Sequence, residues 1–152
     1  MSTLILRHRR ENLSKCSLRG LEKRGDLSFY TYPTDPLPPL ANCIVLKVGA
    51  PPLTEADAAS DLLLIDGTWR LASVMEQQVL TKNPALQFRS LPGNWKTAYP
   101  RRQTECPDPS AGLSSVEALF LAYRLLGRPT EGLLDNYYWK EPFLALNGLS
   151  LY

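Results

Sequence analysis

The sequence predicts an α/β domain in which a five-stranded parallel sheet is followed by a helical C-terminal part. Its 152 residues suit a single domain. Short apolar or β-branched segments alternate with helical patterns through residues 1–90, which favours a parallel sheet. Prolines then interrupt residues 91–112 before a strongly helical region begins. We therefore expect a parallel-sheet part at residues 1–90, and a proline-rich linker with a helical part at residues 91–152.

Five strands are expected in the first part. Each has a β-branched or apolar core and is too short to be a helix. The predicted strands are residues 3–7, 27–32, 43–48, 61–66 and 87–90.

Helices are expected between these strands at residues 14–24, 54–59 and 71–80. The first is short and basic, and the second begins with Thr-Glu-Ala-Asp, which resembles a capping box. In the third, apolar residues recur at helical spacing, at Leu71, Val74, Met75 and Val79.

The C-terminal part is expected to contain three helices. Ser114 begins the strongest of them, with Glu117 at the third helical position and Gly127 as the C-terminal cap. Two more are expected at residues 130–136 and 137–146.

Composition excludes several classes of protein. Hydrophobic residues make up 44% and charged residues 21%, an ordinary globular balance. No apolar run approaches the roughly 20 residues that cross a bilayer. The N-terminal segment turns basic after its apolar residues, the reverse of a secretory signal, so we expect a cytoplasmic protein. Three widely separated cysteines and one histidine favour neither a disulfide scaffold, nor a metal site, nor a histidine-based triad.

Positive charge is segregated along the chain, although the net charge is only +2. Residues 1–24 hold seven basic side chains against Glu11 and Glu22, and a second basic cluster spans residues 89–102. Segregated positive charge attracts a phosphate backbone. A pair of solvated faces explains the same pattern equally well from charge alone.

The turn at residues 66–69 is a candidate ligand site because it follows a buried strand. Ligands of open α/β sheets bind at the carboxyl ends of strands. Asp66 could hold a cation or a hydroxyl, and Trp69 could form an apolar wall. The alternative is that Asp66 caps the next helix while Trp69 packs in the core. Neither a glycine-rich dinucleotide fingerprint nor a P-loop occurs in the sequence.

Five blocks of the sequence, in matching order and spacing, resemble the RNA aminocarboxypropyltransferase superfamily. The last block is similar to the C-terminal tail of its small-subunit rRNA branch, whereas Asp66-Gly67-Thr68-Trp69 has the form typical of the related tRNA branch. The blocks are Arg10-Glu11-Asn12 with Lys15-Cys16-Ser17-Leu18-Arg19-Gly20-Leu21, then Asp66-Gly67-Thr68-Trp69, Leu91-Pro92, Gly112-Leu113-Ser114-Ser115-Val116-Glu117-Ala118 and Tyr138-Trp139-Lys140-Glu141-Pro142-Phe143-Leu144-Ala145-Leu146-Asn147.

This resemblance implies an enzyme that transfers the 3-amino-3-carboxypropyl group of S-adenosylmethionine to N3 of a uridine or pseudouridine in RNA. Small-subunit rRNA is the preferred acceptor and tRNA the alternative. The implied fold is similar to the SPOUT methyltransferases, with a deep trefoil knot in which the helical part completes the cofactor pocket. It also implies a monomer that needs neither a metal nor a membrane.

The resemblance implies positions for the cofactor. Ser17 and Ser114 or Ser115 would lie near its amino-acid portion, where hydroxyls and a helix N-terminus can hold a carboxylate. Simple capping of the helix by these serines is an equally good explanation from the residues alone. The Leu91 backbone would line the adenine pocket, and the chain around Ile65 would meet the ribose.

In the turn at residues 66–69, Thr68 is a further expected cofactor contact, and Trp69 would form the apolar wall beside the sulfonium. Asp66 could contact the ribose or the amino group, or act as the base that removes the N3 proton; the sequence does not choose.

Phosphates around an unstacked base would be bound by Arg7, Arg9, Arg10, Lys15, Arg19, Arg101 and Arg102. Two other classes of function stay open at this point. One is an RNA-binding or ribosome-assembly module without catalysis, and the other is a SPOUT-like methyltransferase that transfers the ordinary methyl group.

Overall fold

A five-stranded sheet forms the centre of the protein in a computed structural model that describes residues 2–10, 16–99 and 113–149, except for the side chain of Trp69. The strand order is β2-β1-β4-β3-β5, and every neighbouring pair runs parallel. The strands are β1 (Thr3–His8), β2 (Leu27–Tyr32), β3 (Cys43–Leu46), β4 (Asp61–Asp66) and β5 (Gln87–Arg89). The predicted parallel α/β sheet is confirmed; the knot stays a prediction.

Three α-helices lie among the described residues. They are α1 (Trp69–Lys82), α2 (Ser115–Leu126) and α3 (Lys140–Leu146). α2 begins with a capping box formed by Ser114 and Glu117 and ends at Gly127, whose φ of 71° lies in the left-handed region that glycine adopts without strain. The predicted start and end of this helix are therefore confirmed.

The helices cover both faces of the sheet because successive side chains of a strand point to opposite sides. One face packs against α1 through Leu4, Leu6, Val45, Leu63, Met75 and Val79. The opposite face packs against α2, α3 and the turns before β2 through Ile5, Leu18, Leu62, Leu64, Val116, Leu119, Phe120 and Phe143. The result is three layers with the sheet in the middle.

Two predicted helices are wrong over the described residues. Residues 16–24 form successive turns, in which Leu21 N donates to Leu18 O and Arg24 N donates to Leu21 O. Gly20 has a φ of 89° and interrupts any helix there. Gly132, with a φ of 80°, does the same for the helix predicted at residues 130–136. Residues 54–59 form only a short 3₁₀ turn (Glu55–Asp57), and the last helix begins at Lys140 rather than at 137.

No helix within the described residues has the length and apolar character to cross a membrane. The same part of the chain contains no group of three acidic, histidine or cysteine side chains that could hold a metal ion.

Candidate active site

The candidate site lies where the central strands β1 and β4 end. Arg7 is directly opposite Asp66 in the register of these two parallel strands. From β1 the chain continues to β2 on one side, and from β4 it continues through α1 to β5 on the other side. The two connections therefore diverge between β1 and β4, and such a switch point is where open α/β sheets bind ligands.

Asp66 is the centre of a buried hydrogen-bond network. Its carboxylate is 5% exposed. Ser115 Oγ donates to Oδ1 at 2.7 Å, and Cys16 Sγ donates to Oδ2 at 3.1 Å. Arg7 Nε also donates to Oδ2, at 3.4 Å. Both oxygens of the carboxylate are thus occupied by donors from three separate segments of the chain.

Ser17 joins this network through the beginning of α2. The amide of Val116 donates to Ser17 Oγ at 3.2 Å, so the hydroxyl accepts there and keeps its own proton to donate. Ser115, which donates its proton to Asp66, keeps oxygen lone pairs that can accept. The structure therefore brings Ser17, Asp66 and Ser115 together, and both serines are partly exposed.

Arg7 is inside the protein, which corrects its expected place on a phosphate-binding surface. It is 8% exposed, and its guanidinium lies 4.7 Å from the centre of the Phe29 ring. Besides Asp66 it contacts Glu22 Oε1, at 3.4 Å. Burial alone would lower the pKa of Arg7, but the surrounding negative groups outweigh it and raise that pKa.

Cys16 is a thiol donor in this site rather than a nucleophile. Burial, and next the charge of Asp66, raise the pKa of Cys16 from its ordinary 9.0 to about 12. The thiolate is the reactive form of cysteine, so a thiol that keeps its proton at neutral pH is unreactive.

We expect the free energy of unfolding to fall as the pH rises from about 9 towards 12. Burial raises the pKa of Cys43 to about 11, and that of Cys16 to about 12. The unfolded chain releases these protons near pH 9 and the folded protein holds them. The stability they contribute is complete below that pH. It is lost progressively as the pH rises from there through the folded values of about 11 and 12.

Urea unfolding at pH 8, 9, 10 and 11 measures this loss. Cys43→Val removes the thiol that lies away from the site. Its free energy of unfolding should decline less steeply with pH than that of the unchanged protein. Identical slopes would show that Cys43 does not contribute to the loss.

Ser114 faces away from the site, although it is adjacent to Ser115. Its Oγ accepts from the amide of Glu117 and donates to Tyr137 Oη, both at 3.4 Å. It is 2% exposed. Both roles of its hydroxyl are thus used inside the protein, so its side chain acts as the helix cap and Ser115 is the serine that faces Asp66.

Glu117 fixes the segment before residue 100 to the start of α2. It is fully buried, and its oxygens accept from Thr97 Oγ1 at 2.6 Å and from the amide of Ala98 at 2.8 Å. The amide of Ser114 and the hydroxyl of Tyr137 also donate to it, at 2.8 and 3.0 Å. Four neutral donors therefore satisfy the oxygens of this buried carboxylate.

The remaining predicted cofactor residues are distributed around the site. Ile65 is partly buried in the cluster under α1, and Leu91 is partly buried in the cluster on the opposite face. Thr68 precedes α1 as its N-terminal cap residue and is exposed. The side chain of Trp69 lies outside the described part of the structure.

The predicted RNA-binding residues other than Arg7 divide into two groups. Arg9 and Arg10 directly follow β1 and are exposed, and Arg19 is exposed in the turn after Ser17. Lys15, Arg101 and Arg102 lie outside the described residues.

The site predicted from the sequence does not include Cys16, Glu22 or the internal position of Arg7. The strand alternation contained the signal for Arg7, since it is two residues after Ile5 in β1 and therefore points to the same face as that core residue. No comparable local pattern identifies Cys16 or Glu22, because both belong to turns.

A cavity of about 680 Å³ lies elsewhere, between α1 and the loop after β2. Leu6 and Val79 line it, and both belong to the cluster under α1. Asp66 and Arg7 point to the other face of the sheet. The cavity is therefore distinct from the site at the ends of β1 and β4.

These features define a three-layer α/β protein with a polar site at the carboxyl edge of a parallel sheet. Among solved structures, the SAM-dependent rRNA:acp-transferase Tsr3 from Vulcanisaeta distributa has this fold, with a TM-score of 0.71 and 22% sequence identity. The similarity covers 97% of this chain and 79% of that one. No family model and no curated protein matches the chain. The resemblance drawn from the sequence is thus confirmed at the level of the fold.

Proposed function

We propose that the protein transfers the 3-amino-3-carboxypropyl group of S-adenosylmethionine to N3 of a uridine or pseudouridine in RNA, with small-subunit rRNA preferred. The observation that carries the proposal is the convergence of Ser17, Asp66 and Ser115 at the switch point of the sheet. The similarity to the fold of an rRNA acp-transferase supports the same class of reaction.

The chemistry of these side chains fits the amino-acid end of S-adenosylmethionine. The Ser17 hydroxyl has a proton to donate to a carboxylate. Ser115 has lone pairs that accept from an ammonium group, and the negative charge of Asp66 lies directly behind them, 2.7 Å from Ser115 Oγ. One donor and one acceptor backed by a negative charge complement a zwitterion.

S-adenosylmethionine supplies a sulfonium with three carbon substituents that a nucleophile can attack. Selectivity then depends on which carbon the protein presents to the acceptor, since positioning accounts for most of the catalysis in such displacements. Ser17 and Ser115 fix the amino and carboxylate groups at the end of the aminocarboxypropyl substituent. Trp69, at the start of α1, is the proposed apolar wall for the methyl group.

Asp66 is assigned here to holding the cofactor rather than to removing the N3 proton. Both of its oxygens already accept from Arg7, Cys16 and Ser115. A general base needs an oxygen within reach of the proton it abstracts. A carboxylate occupied by three protein donors meets that requirement poorly.

RNA is the proposed partner of the exposed side chains at the same edge. Arg9 and Arg10 follow β1, and Arg19 follows Ser17 by two residues. N3 lies on the pairing edge of the base, so the acceptor must be unstacked, and cations around the site would bind its phosphates. Lys15, Arg101 and Arg102 are proposed to add to this surface. A tRNA uridine is the alternative acceptor, and the protein is proposed to act as a cytoplasmic monomer.

Two parallel incubations with small-subunit rRNA test the proposal, one with carboxyl-labelled and one with methyl-labelled S-adenosylmethionine. Label that enters the RNA only from the carboxyl-labelled form supports aminocarboxypropyl transfer. Label only from the methyl-labelled form identifies a methyltransferase and contradicts the proposal. Repeating both incubations with tRNA separates the two acceptors. Incorporation from neither form into either RNA favours the module without catalysis.

Ser114 and Ser115 offer a matched pair for testing the site. We expect Ser115→Ala to weaken S-adenosylmethionine binding by about tenfold, because it removes the acceptor in front of Asp66. Ser114→Ala should instead lower the free energy of unfolding by about 1 kcal/mol, since it removes a helix cap. Calorimetric titration and urea unfolding of both variants measure the two effects. Equal affinities of the two variants for S-adenosylmethionine would show that Ser115 does not contact the cofactor.

A further inference from the structure

Arg7 contacts two parts of the candidate site at once, the end of β4 and the turns before β2. Its guanidinium contacts Asp66 at the end of β4 through Nε, and Glu22 in the turns before β2 through a terminal nitrogen. Its other terminal nitrogen donates to Cys16 Sγ at 3.5 Å. The planar guanidinium reaches its three partners from three separate nitrogens, whereas the three donors of an ammonium group share one nitrogen.

The contact with Asp66 acts on Ser115. Asp66 Oδ2 receives the proton of Arg7 Nε, while Oδ1 receives the proton of the Ser115 hydroxyl. The position of Oδ1 therefore depends on how Oδ2 is held. A fixed Oδ1 fixes the direction of the Ser115 proton, and with it the direction of the lone pairs that would face an ammonium group.

The contact with Glu22 acts on the turn that carries Ser17. Glu22 Oε1 contacts Arg7, and its Oε2 accepts from the amide of Gly20 at 2.9 Å. This chain of contacts ties the turn of residues 16–20 to β1. The same turn presents Ser17 Oγ to the amide of Val116. Arg7 is thus linked to both of the serines assigned to the amino-acid end of the cofactor.

Stacking fixes the guanidinium itself. It lies over the Phe29 ring of β2, and its side chain is only 10% exposed, so it has little freedom to find other partners.

We infer that Arg7 is a positioning residue for recognition of the amino-acid portion of S-adenosylmethionine, acting through Asp66 on Ser115 and through Glu22 on Ser17. The inference rests on the proposed function. On this inference, binding of the amino-acid portion requires Arg7. Binding of the nucleoside portion does not, because its proposed contacts at Ile65 and Leu91 are not among the residues linked to Arg7.

The test compares two ligands on the same variants by calorimetry. S-adenosylmethionine carries the amino-acid portion, and 5′-methylthioadenosine has the nucleoside and the sulfur without it. We expect Arg7→Met to weaken S-adenosylmethionine binding by about tenfold or more, because a charge-assisted contact that positions the site is lost. The affinity for 5′-methylthioadenosine should change by less than about twofold. Arg7→Lys keeps the positive charge but not the planar set of donors. It should weaken S-adenosylmethionine binding by an intermediate factor and leave 5′-methylthioadenosine binding unchanged.

Lys47→Met is the matched control. Lys47 also pairs with a carboxylate, Glu76 at 2.6 Å, and lies over an aromatic ring, Phe88 at 5.3 Å. It directly follows β3 and is far more exposed than Arg7. Its loss should leave the affinities for both ligands unchanged.

The outcomes are distinct. Equal weakening of both ligands by Arg7→Met, with a lower melting temperature, would show a purely structural role and overturn the inference. Unchanged affinity for S-adenosylmethionine would overturn it as well. If Arg7→Met does not fold, the affinities of Arg7→Lys for the two ligands are compared instead. Weaker binding of S-adenosylmethionine alone supports the inference, and equal weakening of both ligands overturns it. If the unchanged protein binds neither ligand, the proposed function fails and the inference fails with it.

Discussion

Replacement of Glu117 by alanine is expected to destabilise the protein by about 3–5 kcal/mol, because several buried donors would each lose their acceptor at a cost of about 1–3 kcal/mol. Its carboxylate is fully buried and accepts from Thr97, Ala98, Ser114 and Tyr137. Alanine would leave these four donors without an acceptor inside the protein. The variant would also lose the half of the capping box that begins α2.

Urea unfolding measures this loss, and Glu141→Ala is the control. Glu141 is an acidic residue in the first turn of α3 and is exposed. Its removal should change the free energy of unfolding by no more than about 0.5 kcal/mol. Equal stabilities of the two variants would mean that Glu117 does not hold the segment at residues 97–98 against α2.

Replacement of Asp66 by asparagine is expected to weaken S-adenosylmethionine binding by about 100-fold, equivalent to roughly 2.7 kcal/mol. Asparagine has the same shape but only one oxygen that accepts. Its amide group would face either the Arg7 guanidinium with Cys16 or the Ser115 hydroxyl, and each of these positions now holds a donor. The variant also lacks the negative charge that complements the ammonium group of the cofactor.

Asp35→Asn is the control for this effect. Asp35 lines the cavity of about 680 Å³ between α1 and the loop after β2. Its replacement should leave the affinity unchanged. If Asp35→Asn weakened the binding of S-adenosylmethionine while Asp66→Asn did not, the cavity would be the cofactor site.

The sheet and the main helix were predictable because their signals are local. Short β-branched or apolar segments mark all five strands, and their bounds differ from the structure by no more than two residues. Ser114, Glu117 and Gly127 mark both ends of α2 by capping chemistry that operates within a few residues. Local patterns of this kind need no knowledge of tertiary contacts.

The site was only partly predictable because its geometry depends on tertiary contacts. Sequence reasoning chose Ser17, Asp66 and the serines at the start of α2, and the structure brings Ser17, Asp66 and Ser115 together. It could not tell Ser115 from Ser114, since the difference lies in which side of the helix start faces β4. Segregated positive charge predicts a phosphate-binding role for Arg7, whereas its pairing with Asp66 holds it inside the protein.

The turns before β2 show a further limit. A basic segment with good helix formers at residues 14–24 predicted a helix, but the structure has turns over residues 16–24. The turn conformation lets Cys16 reach Asp66 and Ser17 reach the start of α2. Tertiary contacts of this kind override local helix propensity.

A crystal structure of the protein with S-adenosylmethionine would show directly which groups hold the two ends of the cofactor. We expect the amino group within hydrogen-bond distance, about 3 Å, of Ser115 Oγ, and the carboxylate group within the same distance of Ser17 Oγ. The methyl group should be enclosed, and the propyl carbon should be open to the acceptor. A molecule bound instead in the cavity between α1 and the loop after β2, or one whose methyl group is the exposed arm, would contradict this expectation.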